Sequence, residues 1–231
     1  ALDTEIMQFA SSDVAHGMTD VIETDAYGSF QKSHATSGGL EIRGLRDADG
    51  DAGYALLLTG YLGEAADTTK STSGLGVTTI RSSVKSSASV AACGSDANLL
   101  VIQNHGTGRF IFDAEGSGHA DVEWVAFSDS RLKTSIEDIP YGLATVLQMQ
   151  PKRYDKQSGC IDDSGSLVLE DNKRKMIGFL AQDIKALIPE MVKDVDESKS
   201  FYAMDDGKLM AVLVKAVQEL SAKVDALENS N

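Results

Sequence analysis

Hydrophobic residues in the first half of the chain occur in short runs that are separated by glycine-rich turns. Such runs predict β-strands, and between residues 38 and 127 they read "GLEIRGL", "YALLLTGYLG", "GLGVTTI", "NLLVIQN", "GRFIFDAEG" and "DVEWVAF". The turn sequences "DADG", "HGTG" and "EGSG" separate them. Thr, Ser and Gly fill residues 67–96 so densely that one chain has little apolar surface there to bury. This pattern predicts strands that become stable when several copies intertwine and bury narrow apolar edges between chains.

The pattern changes after Ser128, where helical spacing appears. A short helix is predicted between Pro140, which suits a first helical turn, and Pro151, which prevents continuation. Leu143, Val146 and Leu147 give its helical spacing. Next, "RYDK" and "SLVLE" around "CIDDSG" predict a hairpin, and "KMIGF" predicts a further strand. "LAQDIKALIPE" predicts a helix with an apolar stripe that ends at Pro189. Together these elements indicate a compact α+β unit.

The last predicted element is a helix over about residues 207–229 with a heptad pattern. Its apolar residues recur at spacings of 3 and 4, the a and d positions of a coiled coil: Met210, Leu213, Val217, Leu220, Val224 and Leu227. An amphipathic helix lying on its own domain would show the same spacing, but we favour self-association. Valine at a with leucine at d favours dimers in isolated coiled coils, so the rest of the chain must decide the order of assembly.

Composition and charge exclude several classes of function. With 231 residues, 42% of them hydrophobic, the chain has enough material for one large or two ordinary folded domains. The net charge of -14 repels phosphate backbones, so nucleic acid is not an expected partner. No apolar run approaches 18 residues, so no membrane insertion is expected. The halves differ: residues 1–128 carry 7 Lys and Arg against 17 Asp and Glu, and residues 129–231 carry 14 against 18.

Other candidate chemistry in the sequence is weak, and no metal or cofactor is expected. Cys93 and Cys160 lie far apart and are predicted to be free thiols. Asp47, Asp49 and Asp51 resemble the start of a calcium loop, but Ala52 and Leu58 replace the required glycine and acid, so an acidic hairpin turn is predicted. Isolated histidines near glycines are predicted to be surface turn residues: His16, His34, His105 and His119.

Between the two halves, "FSDSRLKTSIED" at residues 127–138 places Ser128 and Lys133 five positions apart. On a helix these side chains would point about 140° apart, and on a strand they would lie about 16 Å apart on opposite faces. Only a turn at Asp129 and Ser130, or a neighbouring subunit, would bring hydroxyl and amine together. A lysine that acts as a base must also be neutral, to which Arg131, on the same side of a strand, could contribute. Residue types alone indicate only a polar linker.

The order of motifs in the second half is more specific. "SDSRLK", "SIEDI", "LQMQPKRYD" and "IGFLAQDIKALIPEMV", followed by the heptad helix, resemble the intramolecular chaperone domain of phage tailspikes and tail fibres. This is the self-cleaving S74 peptidase family, which includes phage endosialidases, and the resemblance covers about residues 128–231. It implies a homotrimer whose C-terminal domain directs the folding of its own upstream stalk and then cuts itself off in a single turnover. Ser128 maps to the nucleophile and Lys133 to the general base, while Asp129, Arg131 and Leu132 match positions that shape the motif.

The resulting prediction is a multi-domain protein. Residues 1–128 would form an N-terminal all-β, intertwined trimeric stalk, and residues 129–231 an α+β chaperone domain that ends in a coiled-coil helix. Assembly would take place in the host cytoplasm, with the stalk kept in the virion tail and the chaperone released. Because Ala1 is not a methionine, we expect a C-terminal fragment of a longer fibre.

The resemblance implies cleavage of the Ser128–Asp129 bond, whereas ring strain favours the Phe127–Ser128 bond. A serine that attacks its own carbonyl closes a four-membered ring, and attack on the preceding carbonyl closes a five-membered one. A serine of another subunit, or a water activated by the lysine, would reconcile the two. The alternative function is a structural or receptor-binding fibre tip that is not cleaved and keeps its C-terminal domain, with a host surface receptor as partner.

Overall fold

The computed structural model describes residues 5–13, 15–47 and 53–230. The chain divides into two compact units, residues 1–63 and 64–231. The predicted boundary at residue 128 lies inside the second unit and stays a prediction. Of the acidic cluster, Asp49, Asp51 and the neighbouring Ala52 lie outside the described residues.

The first unit contains an antiparallel sheet in which β2 (Ala26–His34) lies between β1 (Glu5–Ala10) and β3 (Gly38–Gly44). The strand predicted from "GLEIRGL" is therefore confirmed. Phe9 contacts the rings of Tyr27 and Phe30, each at a centroid distance of 6.0 Å. Ala26 and Leu45 are the buried apolar residues of this unit in the described part of the chain.

The prediction that His16 lies at the surface is wrong, because the side chain is buried. Its Nδ1 accepts a hydrogen bond from the Met18 backbone N–H at 2.9 Å. Nε2 therefore carries the proton and donates to the Glu23 carbonyl at 3.0 Å. The imidazole joins the ends of a loop that has little regular structure, which isolated sequence position could not indicate.

The first half of the second unit consists of a hairpin and a meander. β4 (Val84–Ser86) pairs with β5 (Ser89–Ala91), and β7 (Thr107–Asp113) lies between β6 (Asn98–Asn104) and β8 (Gly118–Ala120). The strands "NLLVIQN" and "GRFIF" and the turn at "HGTG" are thus confirmed. His105 and Gly106 have φ angles of 44° and 83°, as a two-residue hairpin turn requires.

Three of the predicted strands are not formed in the single chain. "YALLLTGYLG", "GLGVTTI" and "DVEWVAF" are irregular, and side chains within them such as Tyr61 and Val122 are highly exposed. A strand needs a neighbouring strand to pair its backbone groups. These segments have β-type composition, but none of them pairs with a strand of the described chain.

The second half of this unit is α+β, as predicted. In chain order its elements are α1 (Leu143–Val146), β9 (Lys152–Lys156), β10 (Gly159–Ile161), β11 (Leu167–Leu169), β12 (Arg174–Gly178), α2 (Ala181–Leu187), β13 (Val192–Lys193), β14 (Ala203–Met204) and α3 (Leu209–Glu228). β13 pairs with β14. The buried core joins α2 to α3 and consists of Met149, Ile184, Ile188, Met191, Val192 and Val212.

The predicted single hairpin between "RYDK" and "SLVLE" is wrong, because two hairpins are nested there. β10 pairs with β11, and β9 pairs with β12 outside them. The Asp162 carboxylate accepts the N–H groups of Ser164 and Ser166, both at 2.9 Å, and Gly165 takes a φ of 79°. This tight turn closes the inner pair early and leaves β9 free to pair with β12, the strand predicted from "KMIGF".

Glu219 attaches α3 to the start of α1. The Leu143 N–H donates to Glu219 Oε2 at 2.8 Å, which satisfies one of the unpaired donors of a helix start. Gly142 leaves the room for this, since a Cβ there would lie 2.3 Å from Glu219 Oε1.

We expect Glu219→Ala to lower the free energy of unfolding of the C-terminal half by about 1 kcal/mol, the usual value of a helix cap. Urea unfolding followed by the helical circular dichroism signal measures this. Glu228→Ala, on the exposed end of the same helix, is the matched control. Equal urea midpoints for the two variants would contradict the capping role.

Candidate functional site

A tight turn follows Ser128. Asp129 caps a 3-10 helix at Ser130–Leu132, and its Oδ1 accepts the Arg131 N–H at 2.8 Å. The Lys133 N–H donates to the Ser130 carbonyl at 3.1 Å, which closes the turn. An acid before a short helix is a common capping arrangement, so this local sequence favours the turn.

The turn brings Ser128 and Lys133 into contact within one chain. Lys133 Nζ lies 2.8 Å from Ser128 Oγ and 2.9 Å from the Ser128 carbonyl oxygen. Of the two routes that the sequence left open, a turn and a neighbouring subunit, the turn is sufficient. The amine is within proton-transfer distance of the hydroxyl and also contacts the carbonyl of the Ser128–Asp129 bond.

Arg131 is directed at Asp129. Its Nε and Nη2 bind both carboxylate oxygens at 2.7–3.1 Å. The hydrogen bond from the Arg131 side chain, and then the one from its backbone N–H, lower the pKa of Asp129. Asp129 in turn raises the pKa of Arg131. These paired hydrogen bonds stabilise the turn. The Asp129 carboxylate largely balances the guanidinium charge, and the guanidinium does not point at the Lys133 amine.

The Ser–Lys pair lies on the surface of the single chain. Every residue from Asp121 to Glu137 is exposed, and the side chain of Phe127 is 100% exposed. Leu132, which matches a shaping position of the motif, is exposed on the same turn. An open site allows water to compete with each hydrogen bond, so the isolated chain presents the pair without enclosing it.

The segment before the site packs on the meander through one aromatic residue. The Trp124 ring lies 5.1 Å from that of Phe110 and 6.2 Å from that of Phe112. The strand predicted from "DVEWVAF" is not formed here, and the Trp124 side chain is more than half exposed. Trp124 therefore connects residues just before Ser128 with β7.

The heptad positions form an uncovered apolar stripe along α3. All six are exposed, from Leu213 at 38% to Met210 and Leu227 at 67%. The helix uses a different face to pack on its own domain, with Val212 and Ala216 each 4% exposed. Packing on the domain therefore uses a face other than the heptad stripe, and self-association through the stripe stays a prediction.

The remaining candidates show no site in the described part of the chain. Cys93 and Cys160 are free, as predicted. His119 lies in β8 and binds Asp113 at 2.8 Å, which lowers the pKa of that carboxyl group. Residues 5–13, 15–47 and 53–230 contain no group of three or more His, Cys, Asp or Glu side chains placed to hold a metal ion. Among those residues, no helix is long and apolar enough to span a bilayer.

Sequence reasoning missed the contacts that link distant parts of the second unit. Glu219 on α3, the buried Ser200 and the Arg174–Glu115 ion pair each act on a residue at least 59 positions away. Such pairs follow no local periodicity, so no pattern in a single sequence could have indicated them.

Comparisons with known proteins match part of the second half to a family model. Residues 128–193 match the Peptidase_S74 model, described as the chaperone of endosialidase. Residues of this chain are also 30% identical, over 104 positions, to the long tail fiber protein Gp37 of Enterobacteria phage K3 and to that of Enterobacteria phage T2. These matches cover 44% of the chain but only 8% and 7% of the relatives, so the chain spans less than a tenth of their length. No solved structure matches the chain significantly. Residues 128–193, which begin at the Ser–Lys pair, therefore belong to the S74 peptidase family, the chaperone of endosialidase.

Proposed function

We propose that residues 129–231 are an intramolecular chaperone that trimerises, directs the folding of residues 1–128 as a phage tail-fibre or tailspike stalk, and is released by self-cleavage next to Ser128. The observation that carries this proposal is the 2.8 Å contact between Lys133 Nζ and Ser128 Oγ, at the first residues of the matched family segment. The family description and the similarity to long tail fibre proteins support the setting.

The exposed surface of the single chain supports the need for a chaperone. The chain exposes 18050 Å², whereas compact units of these two sizes would together expose about 12,000 Å². In the irregular segments with β-type sequences, large apolar side chains face solvent. Intertwining of three copies would give these segments strand neighbours and cover their apolar side chains.

The exposed apolar stripe on α3 supports trimerisation, which is the first step of the proposed assembly. Registering three long chains before any contact forms carries a large loop-closure entropy. A helix that joins the C-terminal ends raises the effective concentration of the stalk segments. α3 packs on its own domain through another face, and its heptad face is exposed and accessible to other copies of the helix.

The chemistry follows from the contacts of the Lys133 amine with the Ser128 hydroxyl and the Ser128 carbonyl. A neutral Lys133 would accept the proton of Ser128 Oγ as that oxygen attacks a carbonyl carbon, and would return it to the departing amine. The carbonyl within reach of the amine is that of Ser128, which supports the Ser128–Asp129 bond. Because attack by the same residue would form a four-membered ring, the nucleophile is the Ser128 hydroxyl of a neighbouring subunit or a water molecule. With the serine, Oγ forms an ester, Asp129 leaves with a free amino group, and water then hydrolyses the ester.

In this proposal the two parts of the chain, before and after the cut, end in different places. Assembly takes place in the host cytoplasm, the stalk becomes a component of the virion tail, and the cleaved domain is released. Recognition of a host surface receptor belongs to the fibre upstream of the cut.

Mass spectrometry of the expressed full chain after assembly tests the proposal. We expect fragments of 128 and 103 residues, the smaller beginning at Asp129. A small fragment that begins at Ser128 would move the cut to the Phe127–Ser128 bond and favour the five-membered route. An intact chain in a fully assembled trimer would refute self-cleavage and support the alternative, a fibre tip that keeps its C-terminal domain.

A further inference from the structure

Residues before and after Ser128 are joined by contacts that do not involve the cleavage site. We propose that the C-terminal half carries a docking surface for its own upstream chain, formed by Ser200, Phe201, Gly159 and Arg174, and that this surface keeps the halves together after the cut. Its occupants are the loop at residues 67–75 and the turn at residues 113–117. The inference about release rests on the proposed self-cleavage, whereas the docking itself does not.

Lys70 is held through its main chain. Its N–H donates to Ser200 Oγ at 3.0 Å, and its carbonyl accepts the Phe201 N–H at 3.3 Å. Two residues on, the Thr72 N–H donates to the Gly159 carbonyl at 3.3 Å. The upstream loop therefore offers only backbone groups, which bond to one side chain and two backbone groups of the C-terminal half. Ser200 is only 5% exposed, so its hydroxyl is a positioned acceptor and not a mobile surface group.

The loop that presents Lys70 is ordered independently of the docking surface. The Asp67 carboxylate accepts the Leu75 N–H at 2.7 Å and the Thr69 N–H at 2.8 Å. These bonds, that to Leu75 first, lower the pKa of Asp67 to about 2. The carboxylate therefore stays charged and keeps the loop closed at any pH above its ordinary value near 4.

The second contact is an ion pair. Arg174 Nη2, at the start of β12, lies 2.5 Å from Glu115 Oε2. Glu115 is presented by a turn in which Asp113 accepts the N–H groups of Glu115 and Ser117, at 3.0 and 2.8 Å. A groove of about 650 Å³ lies around this pair and is lined by residues of both halves.

None of these contacts depends on the bond next to Ser128. Cutting that bond removes the covalent link but leaves the main-chain bonds and the ion pair in place. Cutting and release are therefore separate steps, and release is sensitive to salt because the ion pair is partly exposed.

Hydrogen exchange in the full-length Ser128→Ala chain tests the docking without any cleavage. We expect Ser200→Ala to speed exchange of the Lys70 amide about fivefold, and Ser200→Thr, which keeps the hydroxyl, to restore protection. Ser198→Ala is the matched control, since Ser198 Oγ binds Asp196 in the same loop. Unchanged Lys70 exchange in Ser200→Ala, or equal acceleration in Ser198→Ala, would overturn the docking.

The chain that retains Ser128 is used to test release of the C-terminal half after cleavage. Arg174→Glu is expected to speed separation of the two fragments at least about twofold at low salt, with no change in the cleavage rate. Arg174→Glu combined with Glu115→Arg should restore slow separation. Lys175→Glu, which breaks an ion pair with Asp155 inside the C-terminal half, should have no effect. Equal separation rates in all variants would overturn the release step, and failure of the parent chain to cleave would overturn only the proposed function.

Discussion

Replacing Ser128 with alanine is expected to leave every assembled chain at its full 231 residues. The alanine chain keeps the turn, because Asp129, Arg131 and the backbone make it, but it lacks the attacking oxygen. Loss of the nucleophile in a serine peptidase lowers the rate by roughly 10⁴-fold or more. Mass spectrometry of the trimer after prolonged incubation measures the residual cleavage. Cleavage at the parental rate would show that water, not the serine, is the attacking group.

Variants of Lys133 distinguish two roles for its amine, that of a general base and that of a fixed positive charge. Lys133→Ala should lower the cleavage rate by roughly 10² to 10⁴-fold, the usual contribution of a general base. Lys133→Arg should be equally slow if the amine accepts a proton, since guanidinium stays protonated. Restored cleavage in Lys133→Arg would assign Lys133 to charge stabilisation instead. Ser130→Ala is the matched control in the same turn and should cleave normally.

Leu220→Asp is expected to abolish assembly, and with it both stalk folding and cleavage. In the single chain Leu220 is 49% exposed, so an aspartate there would be tolerated. In a coiled coil the same position is enclosed by the partner helices, and a buried unpaired carboxylate in each chain is strongly unfavourable. Light scattering measures the mass of the assembly, and protease resistance measures folding of the stalk.

Ala222→Asp is the control for this experiment. It adds the same charge to the same helix, at an exposed position outside the heptad stripe. We expect it to assemble and to cleave normally. Equal behaviour of the two variants, whether both assemble or both fail, would contradict a specific role for the stripe.

Local features of the fold could be predicted from the sequence. The strand β6 and its turn, the short helix α1, the stop at Pro189 and the heptad helix all follow from periodicity and turn residues within a few positions. The segments at 54–63, 74–80 and 121–127 have strand composition as well, yet they stay irregular in one chain. Composition indicates what a segment would form with a partner, and it does not indicate whether the partner is present.

The geometry of the candidate site could not be predicted from the sequence, and the roles of its residues stay a prediction. The motif order identified Ser128 and Lys133, and spacing alone argued against their meeting. Their contact depends on a turn that Asp129 caps and Arg131 stabilises. This turn is a property of the backbone path, which the spacing of the two residues does not indicate. The long-range contacts of Ser200 and Glu219 could not be predicted, because their partners lie 130 and 76 positions away.

The binding of Lys70 through its main chain affects which sequence changes the loop at residues 67–75 can accept. Both groups that it offers to Ser200 and Phe201 are backbone atoms, and every residue except proline has both. Substitutions of Lys70 by any residue other than proline therefore keep both hydrogen bonds. A recombination event that joined this C-terminal half to a different upstream sequence would need to preserve the backbone path at this point and avoid proline, but it would not need to preserve the lysine.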